Sequence, residues 1–242
     1  GAYQVATLLL TAPFLAVDDI VVRGNDQLLE SEVLALVLGL FGENLLAVDL
    51  EAHRVMKWTP EGRMLMILGT GSPANSNEAK YAFNRPSSLS FLPNGDFLVA
   101  DGYVNSRVVH FSKDGEYVGQ WGTKGSGDGE FDLVHDVAID SRGRVYVADR
   151  SNRRIQKYDS DGTLLKTILL NVPYDKTRHP VLGNVNPNAP DETAPWTLCI
   201  SAGETQYLFA SDVEPGRIYK MTLDGEMLGW LGESGRQLGQ FN

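Results

Sequence analysis

The chain has 242 residues, enough for one large or two small domains, and its 43% hydrophobic and 21% charged residues are ordinary for a globular protein. A formal net charge of −10 argues against a nucleic-acid or anionic-membrane partner. Cys199 stands alone, which excludes an intrachain disulfide and leaves the compartment open.

The first element in chain order is the apolar run Val5–Val17, VATLLLTAPFLAV. It is too short to span a bilayer, and no basic residues precede it. It reads either as the stub of a cut signal or membrane-anchor helix, or as a buried strand. Next come a short strand at Asp19–Arg23, a Gly-Asn turn and a helix over Ser31–Leu40. Val33, Leu34, Val37 and Leu38 give that helix its apolar face. Within residues 16–50, IVVRGN, ESEVLAL and GENLLAVDLE are similar to the POTRA domain of bacterial division-site and outer-membrane assembly proteins. That resemblance implies a membrane anchor ahead of the segment and an edge that pairs with a partner's strand. Asn44–Trp58 fits either a second POTRA helix or a pair of blade strands, and the repeat described next favours the strands. A junction between two unrelated sequences is expected near residues 44–52, as a natural fusion, a chimera or an assembly artefact. The other reading is a divergent helical leader of one propeller sequence.

From residue 44 onward the chain repeats itself, and a fixed period decides the fold. Four segments align without gaps: Arg54-VMKWTPEG, Arg107-VVHFSKDG, Arg154-IQKYDSDG and Arg217-IYKMTLDG. Seven places after each arginine stands an acid, Glu61, Asp114, Asp161 or Asp224, and a glycine follows it. Upstream lies an anchor aspartate, Asp49, Asp101, Asp149 or Asp212, at spacings of 52, 48 and 63 residues. Runs such as RVYVAD and RIQKYD read as strands, and the DG pairs as tight hairpin turns. A lone meander of this kind cannot bury both faces of its sheet, so radial packing of β-propeller blades follows. The longest spacing holds the Pro/Asn-rich stretch Val172–Pro195, which reads as a surface loop. The expected organisation is mainly β: a leader over 1–17, a POTRA-like α/β segment over 18–43, and about four blades of a six-bladed type over 44–242.

The blade sequences resemble NHL repeats. Within that group ADGYVNSRVVHFS (Ala100–Ser112), GEFDLVHDVAID (Gly129–Asp140) and VYVADRSNRRIQKY (Val145–Tyr158) are similar to the peptidyl-α-hydroxyglycine α-amidating lyases and their bacterial relatives. Asp101 lies six places before Arg107, whereas the other three blades keep five, and the extra residue should push Tyr103 toward the propeller's mouth. The resemblance implies cleavage of a peptidyl-α-hydroxyglycine to a peptide amide and glyoxylate at the top of a six-bladed propeller. It implies zinc held by three histidines, a tyrosine base, arginines on the substrate carboxylate, and calcium as a second ion. By position, Tyr103 matches the tyrosine, His135 a zinc ligand and Arg150 an active-site arginine. Three imidazoles with an open fourth position make a catalytic zinc site, and arginine suits a bidentate carboxylate.

His135 stands fourteen places before Asp149; the same offset lands on Ser87 and Ala35 in the two preceding blades. The family carries a histidine where this sequence has Ala35, and its third would fall at position 245, past Asn242. One ligand of three is in hand, so the chain as it stands is expected to be an impaired lyase. His53, His110 and His179 are expected to be surface or strand residues. Two further readings stay open. One is a non-catalytic NHL module that binds a peptide, carbohydrate or protein partner. The other is an envelope scaffold working through its POTRA-like segment. All three place the protein outside the cytoplasm, periplasmic or secreted. Tyr103, His135 and Arg150 should converge at one end of the propeller and favour a small carboxylate.

Overall fold

The computed structural model describes residues 7–12, 15–21, 45–60, 62–175, 191–212, 214–235 and 237–241. Among them every regular element is a strand. The helix expected over Ser31–Leu40 lies outside the described residues, as does His179.

β1 (Thr7–Ala12) and β2 (Leu15–Val21) form a hairpin; β3 (Leu45–Asp49), β4 (Arg54–Trp58) and β5 (Met64–Leu68) follow as a meander. They make one five-stranded sheet in the order β2-β1-β3-β4-β5, with β1 antiparallel to β3. The apolar leader is thus a strand where it is described, and it extends the sheet that carries Arg54. The second blade is β6 (Ser88–Phe91), β7 (Phe97–Asp101), β8 (Arg107–Phe111) and β9 (Tyr117–Trp121). A connection containing β10 (Thr123–Lys124) and β11 (Glu130–Phe131) leads to the third, β12 (Val134–Ile139), β13 (Val145–Asp149), β14 (Arg154–Tyr158) and β15 (Leu164–Ile168). The fourth is β16 (Pro195–Ile200), β17 (Tyr207–Asp212), β18 (Ile218–Thr222) and β19 (Met227–Leu231), followed by β20 (Glu233–Ser234) and β21 (Gln240–Phe241). The expected β-propeller blades are present, with hairpin turns at Asp114-Gly115 and Asp161-Gly162. There Gly115 (φ 86°) and Gly162 (φ 83°) take the left-handed backbone that a side chain disfavours.

Each sheet buries its alternate residues against the next. Leu46, Val55, Phe83, Leu89, Phe97, Val99 and Phe111 fill the first seam. Leu98, Ala100, Val108, Phe131, Val137, Val147 and Tyr158 fill the second. Tyr146, Ile155, Leu170, Leu198, Leu208, Tyr219 and Met221 fill the third. Fully burying one such aliphatic or aromatic side chain contributes about 1.5–3 kcal/mol, so the seams hold the blades in register.

Polar clasps fix the loops that leave each sheet. In the second blade Asp101 accepts from Arg107 Nε at 2.9 Å, Asn105 Nδ2 at 2.7 Å and the Asn84 backbone N–H at 2.9 Å. In the third, Asp149 accepts from Arg154 Nε at 2.7 Å, Asn152 Nδ2 and the Asp132 N–H at 2.7 Å. In these two blades the repeat's aspartate and arginine are therefore a buried ion pair that ties the β-strand end to the chain arriving from the preceding blade. Asp136 joins the inner strands of three blades: it accepts from Ser88 Oγ at 2.5 Å, its neighbour Val137 N–H at 2.8 Å and the Leu198 N–H at 2.6 Å.

Candidate functional site

Two equivalent loops leave β7 and β13 at the same rim. In the third blade the Arg150 N–H bonds to the Leu133 carbonyl at 3.0 Å; in the second the Tyr103 N–H reaches the Arg85 carbonyl at 3.4 Å. Tyr103 therefore occupies the place that Arg150 holds one blade later, and Gly102 is the extra residue between it and Asp101. A Cβ on Gly102 would lie 1.8 Å from the Val134 carbonyl oxygen, so only glycine lets this loop close against the start of β12. Arg85 (φ 61°) and Leu133 (φ 68°) are both left-handed, a backbone state that costs a non-glycine residue of order 1–3 kcal/mol. Arg85 is held there by its N–H, which His53 Nδ1 accepts at 2.9 Å.

His135 sits between these loops. Its Nδ1 lies 2.7 Å from the Trp196 carbonyl oxygen, which can only accept, so Nδ1 carries the proton. Nε2 then presents a lone pair, and the Tyr103 hydroxyl donates to it at 3.1 Å. Burial pushes His135 down to about 4, which keeps the ring neutral at pH 7. The Trp196 ring lies 4.5 Å from the imidazole, and on Trp196 stacks the Arg150 guanidinium, its Cζ 3.6 Å from the ring centroid. Arg85 approaches the Tyr103 ring at 5.8 Å and pairs with Glu51. The Arg150 guanidinium makes no hydrogen bond or ion pair among the described residues. Burial pushes its pKa down, while Tyr103 and Glu214 pull it back up.

Tyr103, His135 and Arg150 are thus brought together into one polar cluster. Ser87 lies alongside and gives its hydroxyl proton to the Val134 carbonyl at 2.8 Å. His110 is elsewhere, paired with Asp96 at 3.2 Å. Sequence offsets missed Trp196 and Arg85. Val134 pairs with Asp149 and Asp136 with Ala148; the matching pairs in the fourth blade are Pro195 with Asp212 and Leu198 with Ala210. Each blade thus has one extra residue at this point, and Trp196 takes the place of His135. Seven residues separate Ile200 from Leu208 where five separate Ile139 from Val145, so the fourteen-residue offset falls on Leu198, two places past Trp196.

The donor set does not fit a three-imidazole zinc centre. Among the described residues no three His, Cys, Asp or Glu side chains lie close enough together to hold a metal ion. What the cluster offers is an unpaired cation, a phenol and a neutral imidazole on one rim.

Fold and repeat together define a β-propeller of the NHL type. The chain resembles the amidating lyases within that class. A family described as a 6-bladed beta-propeller matches residues 80–178. Human NHL repeat-containing protein 3 is 35% identical over 111 residues, which is 45% of this chain and 32% of that protein. Rat peptidylglycine alpha-amidating monooxygenase is 35% identical over 126 residues, 49% of this chain and 13% of that one. A probable peptidyl-alpha-hydroxyglycine alpha-amidating lyase of Caenorhabditis elegans is 27% identical over 195 residues, 74% of this chain and 55% of that one. The chain thus spans from about an eighth to about half the length of these relatives. Among solved structures, a Staphylococcus aureus virginiamycin B lyase superposes with a TM-score of 0.51 at 14% identity, over 77% of this chain and 51% of that one. A Bacteroides caccae protein gives 0.51 at 13% identity, over 77% and 56%. At these identities the two structures speak for the fold alone.

Proposed function

We propose that this chain is an amidating-lyase-like propeller segment whose rim binds a small carboxylate, and that its lyase turnover is impaired. The observation that carries the reading is the Arg150 guanidinium. It is half-buried, stacked on Trp196 and without an anionic partner among the described residues, beside a tyrosine hydroxyl. A desolvated, unpaired guanidinium is a bidentate carboxylate receptor. In this reading Arg150 holds the carboxylate and Tyr103 faces the carbon that bears the hydroxyl group. Tyr103 is the base and needs somewhere to send its own proton. Among the described residues the only acceptor in hydrogen-bond contact is His135 Nε2, and a group pushed down to about 4 is a weak acceptor at pH 7. Zinc and calcium belong to the family resemblance, and one histidine of three supports neither a tight zinc site nor a metal-assisted step in this chain.

The test is glyoxylate release from a peptide ending in α-hydroxyglycine, with and without added zinc, beside glyoxylate binding by calorimetry. Binding without turnover is expected. Zinc-dependent turnover by the 242-residue chain would overturn the impairment, and no binding would overturn the carboxylate site. A second reading, a non-catalytic NHL module for a peptide, carbohydrate or protein partner in the bacterial envelope, draws on Ala35, where the family carries a histidine, and on the NHL repeat-containing relative. Under it, a peptide lacking a free carboxylate would bind as well as one that has it. An extracytoplasmic location goes with both readings, and export of a tagged full-length gene product is its check.

A further inference from the structure

We propose that Trp196 is the positioning residue of this rim. In this role it presents the edge of Arg150 to a planar carboxylate and fixes the proton of His135 on Nδ1. The inference rests on the carboxylate reading for its ligand and on separate geometry for its mechanism.

The third and fourth blades both carry a one-residue bulge where the inner strand begins, at His135 and at Trp196–Thr197, and bulges re-aim side chains. Thr197 is pinned to the neighbouring strand: its hydroxyl lies 2.7 Å from Ser211 Oγ, and its N–H donates to the same oxygen at 3.2 Å. Trp196 is then the residue left to reach across to the third blade. It makes two different contacts there. Its main-chain carbonyl takes the Nδ1 proton of His135, and its ring carries the guanidinium of Arg150. A ring 3.6 Å from Cζ covers one face of the guanidinium. Its N–H donors point outward in the plane, so a ligand is met edge-on by two parallel N–H···O bonds. A flat carboxylate fits that geometry, and a ligand that needs to stack on the arginine does not. With Nδ1 protonated, the Nε2 lone pair holds the Tyr103 hydroxyl beside the same space. One bulged residue thus sets the cation, the imidazole and, through it, the phenol.

The experiment uses the full 242-residue chain, glyoxylate as the probe, and three variants. Trp196→Leu keeps apolar bulk but has no π-face; Trp196→Phe restores one; Arg150→Ala removes the receptor. Glyoxylate affinity is read by calorimetry, and the His135 tautomer by nitrogen chemical shifts at fixed pH. Trp196→Leu should weaken binding roughly tenfold and leave the His135 proton on Nδ1, because the main-chain carbonyl that accepts it is unchanged. Trp196→Phe should restore affinity to within about threefold of the parent and keep the proton on Nδ1. The positioning role is overturned if Trp196→Leu binds like the parent, or if Phe does no better than Leu. A parent that fails to bind, or an Arg150→Ala variant that binds equally well, counts against the carboxylate site. In that event the tautomer of the parent still tests the carbonyl contact: a proton on Nδ1 supports it and a proton on Nε2 overturns it.

Discussion

The third and fourth blades share one strand order and one repeat, yet treat their anchor aspartates differently. Asp149 is clasped by Arg154, and that guanidinium also reaches the carbonyls of Ser126, Gly127 and Glu130 in the connection ahead of the blade. In the fourth blade Arg217 turns away from Asp212, toward the Pro173 carbonyl at 3.1 Å and the face of Trp230 at 5.4 Å. Asp212 accepts the Arg217 backbone N–H at 3.1 Å and hydrogen bonds from Tyr219 and Thr193 but no guanidinium, and burial pushes it up to about 6. The difference follows from what lies on either side. The third blade is packed between two others, whereas the far face of the fourth leaves Leu228 48% and Trp230 51% exposed. An arginine needs a built-up surround to be held against an aspartate, and the fourth blade offers it a tryptophan face instead.

The comparison breaks most sharply if the two arginines are exchanged for alanine. Arg154→Ala leaves Asp149 as a buried, uncompensated carboxylate and should cost about 3–5 kcal/mol, while Arg217→Ala should cost under about 1 kcal/mol. Urea denaturation of both variants measures the contrast, and equal losses would show that the clasp is not what distinguishes the blades.

Asp212 gives the next largest effect, and its sign is the opposite of a salt-bridged aspartate. Its folded pKa of about 6 lies above the ordinary 3.8, so between those values the folded state binds the extra proton. Stability should fall as pH rises through that window, by up to about 3 kcal/mol from this group. Denaturation curves at pH 4 and pH 7 should therefore lie closer together for Asp212→Asn than for the parent, once other groups are subtracted as common to both. A parent and variant with the same pH dependence would place Asp212 outside the buried environment described for it.

Gly102→Ala tests the loop insertion that separates the second blade from the third. A Cβ 1.8 Å from backbone must push the loop outward. A stability loss of about 1–3 kcal/mol is expected, of the size that overpacking causes. The Tyr103–His135 hydrogen bond should go with it, read from the His135 nitrogen shifts. The smallest effect belongs to the open face: Trp230→Ser should change monomer stability by under about 0.5 kcal/mol, as for other exposed sites. A larger loss would mean that this face is covered in solution.

Much of this was legible in the residues. Four in-register arginine–acid–glycine repeats place the strands and turns, because a DG turn and an alternating strand are local physics. The rim was legible too: counting from the anchor aspartates puts Tyr103, His135 and Arg150 at one edge of adjacent blades. Trp196 was not, because the turn between Ile200 and Leu208 is two residues longer than its counterpart in the third blade and moves the count from the anchor aspartate. Arg85 was hidden for a similar reason, since its left-handed backbone depends on His53, which lies 32 residues away. The pairing of β1 with β3 was also beyond reach, because register between distant strands is set by packing rather than by composition.

Asp136 lies next to His135 in sequence and takes donors from three different blades. Seen mechanically, it is a hub pin. The angle between neighbouring sheets is transmitted through one carboxylate on the residue next to the one that carries the rim's imidazole. Any force that opens or tightens the arc of blades must move that pin, and the rim would register the change before any loop at the periphery did.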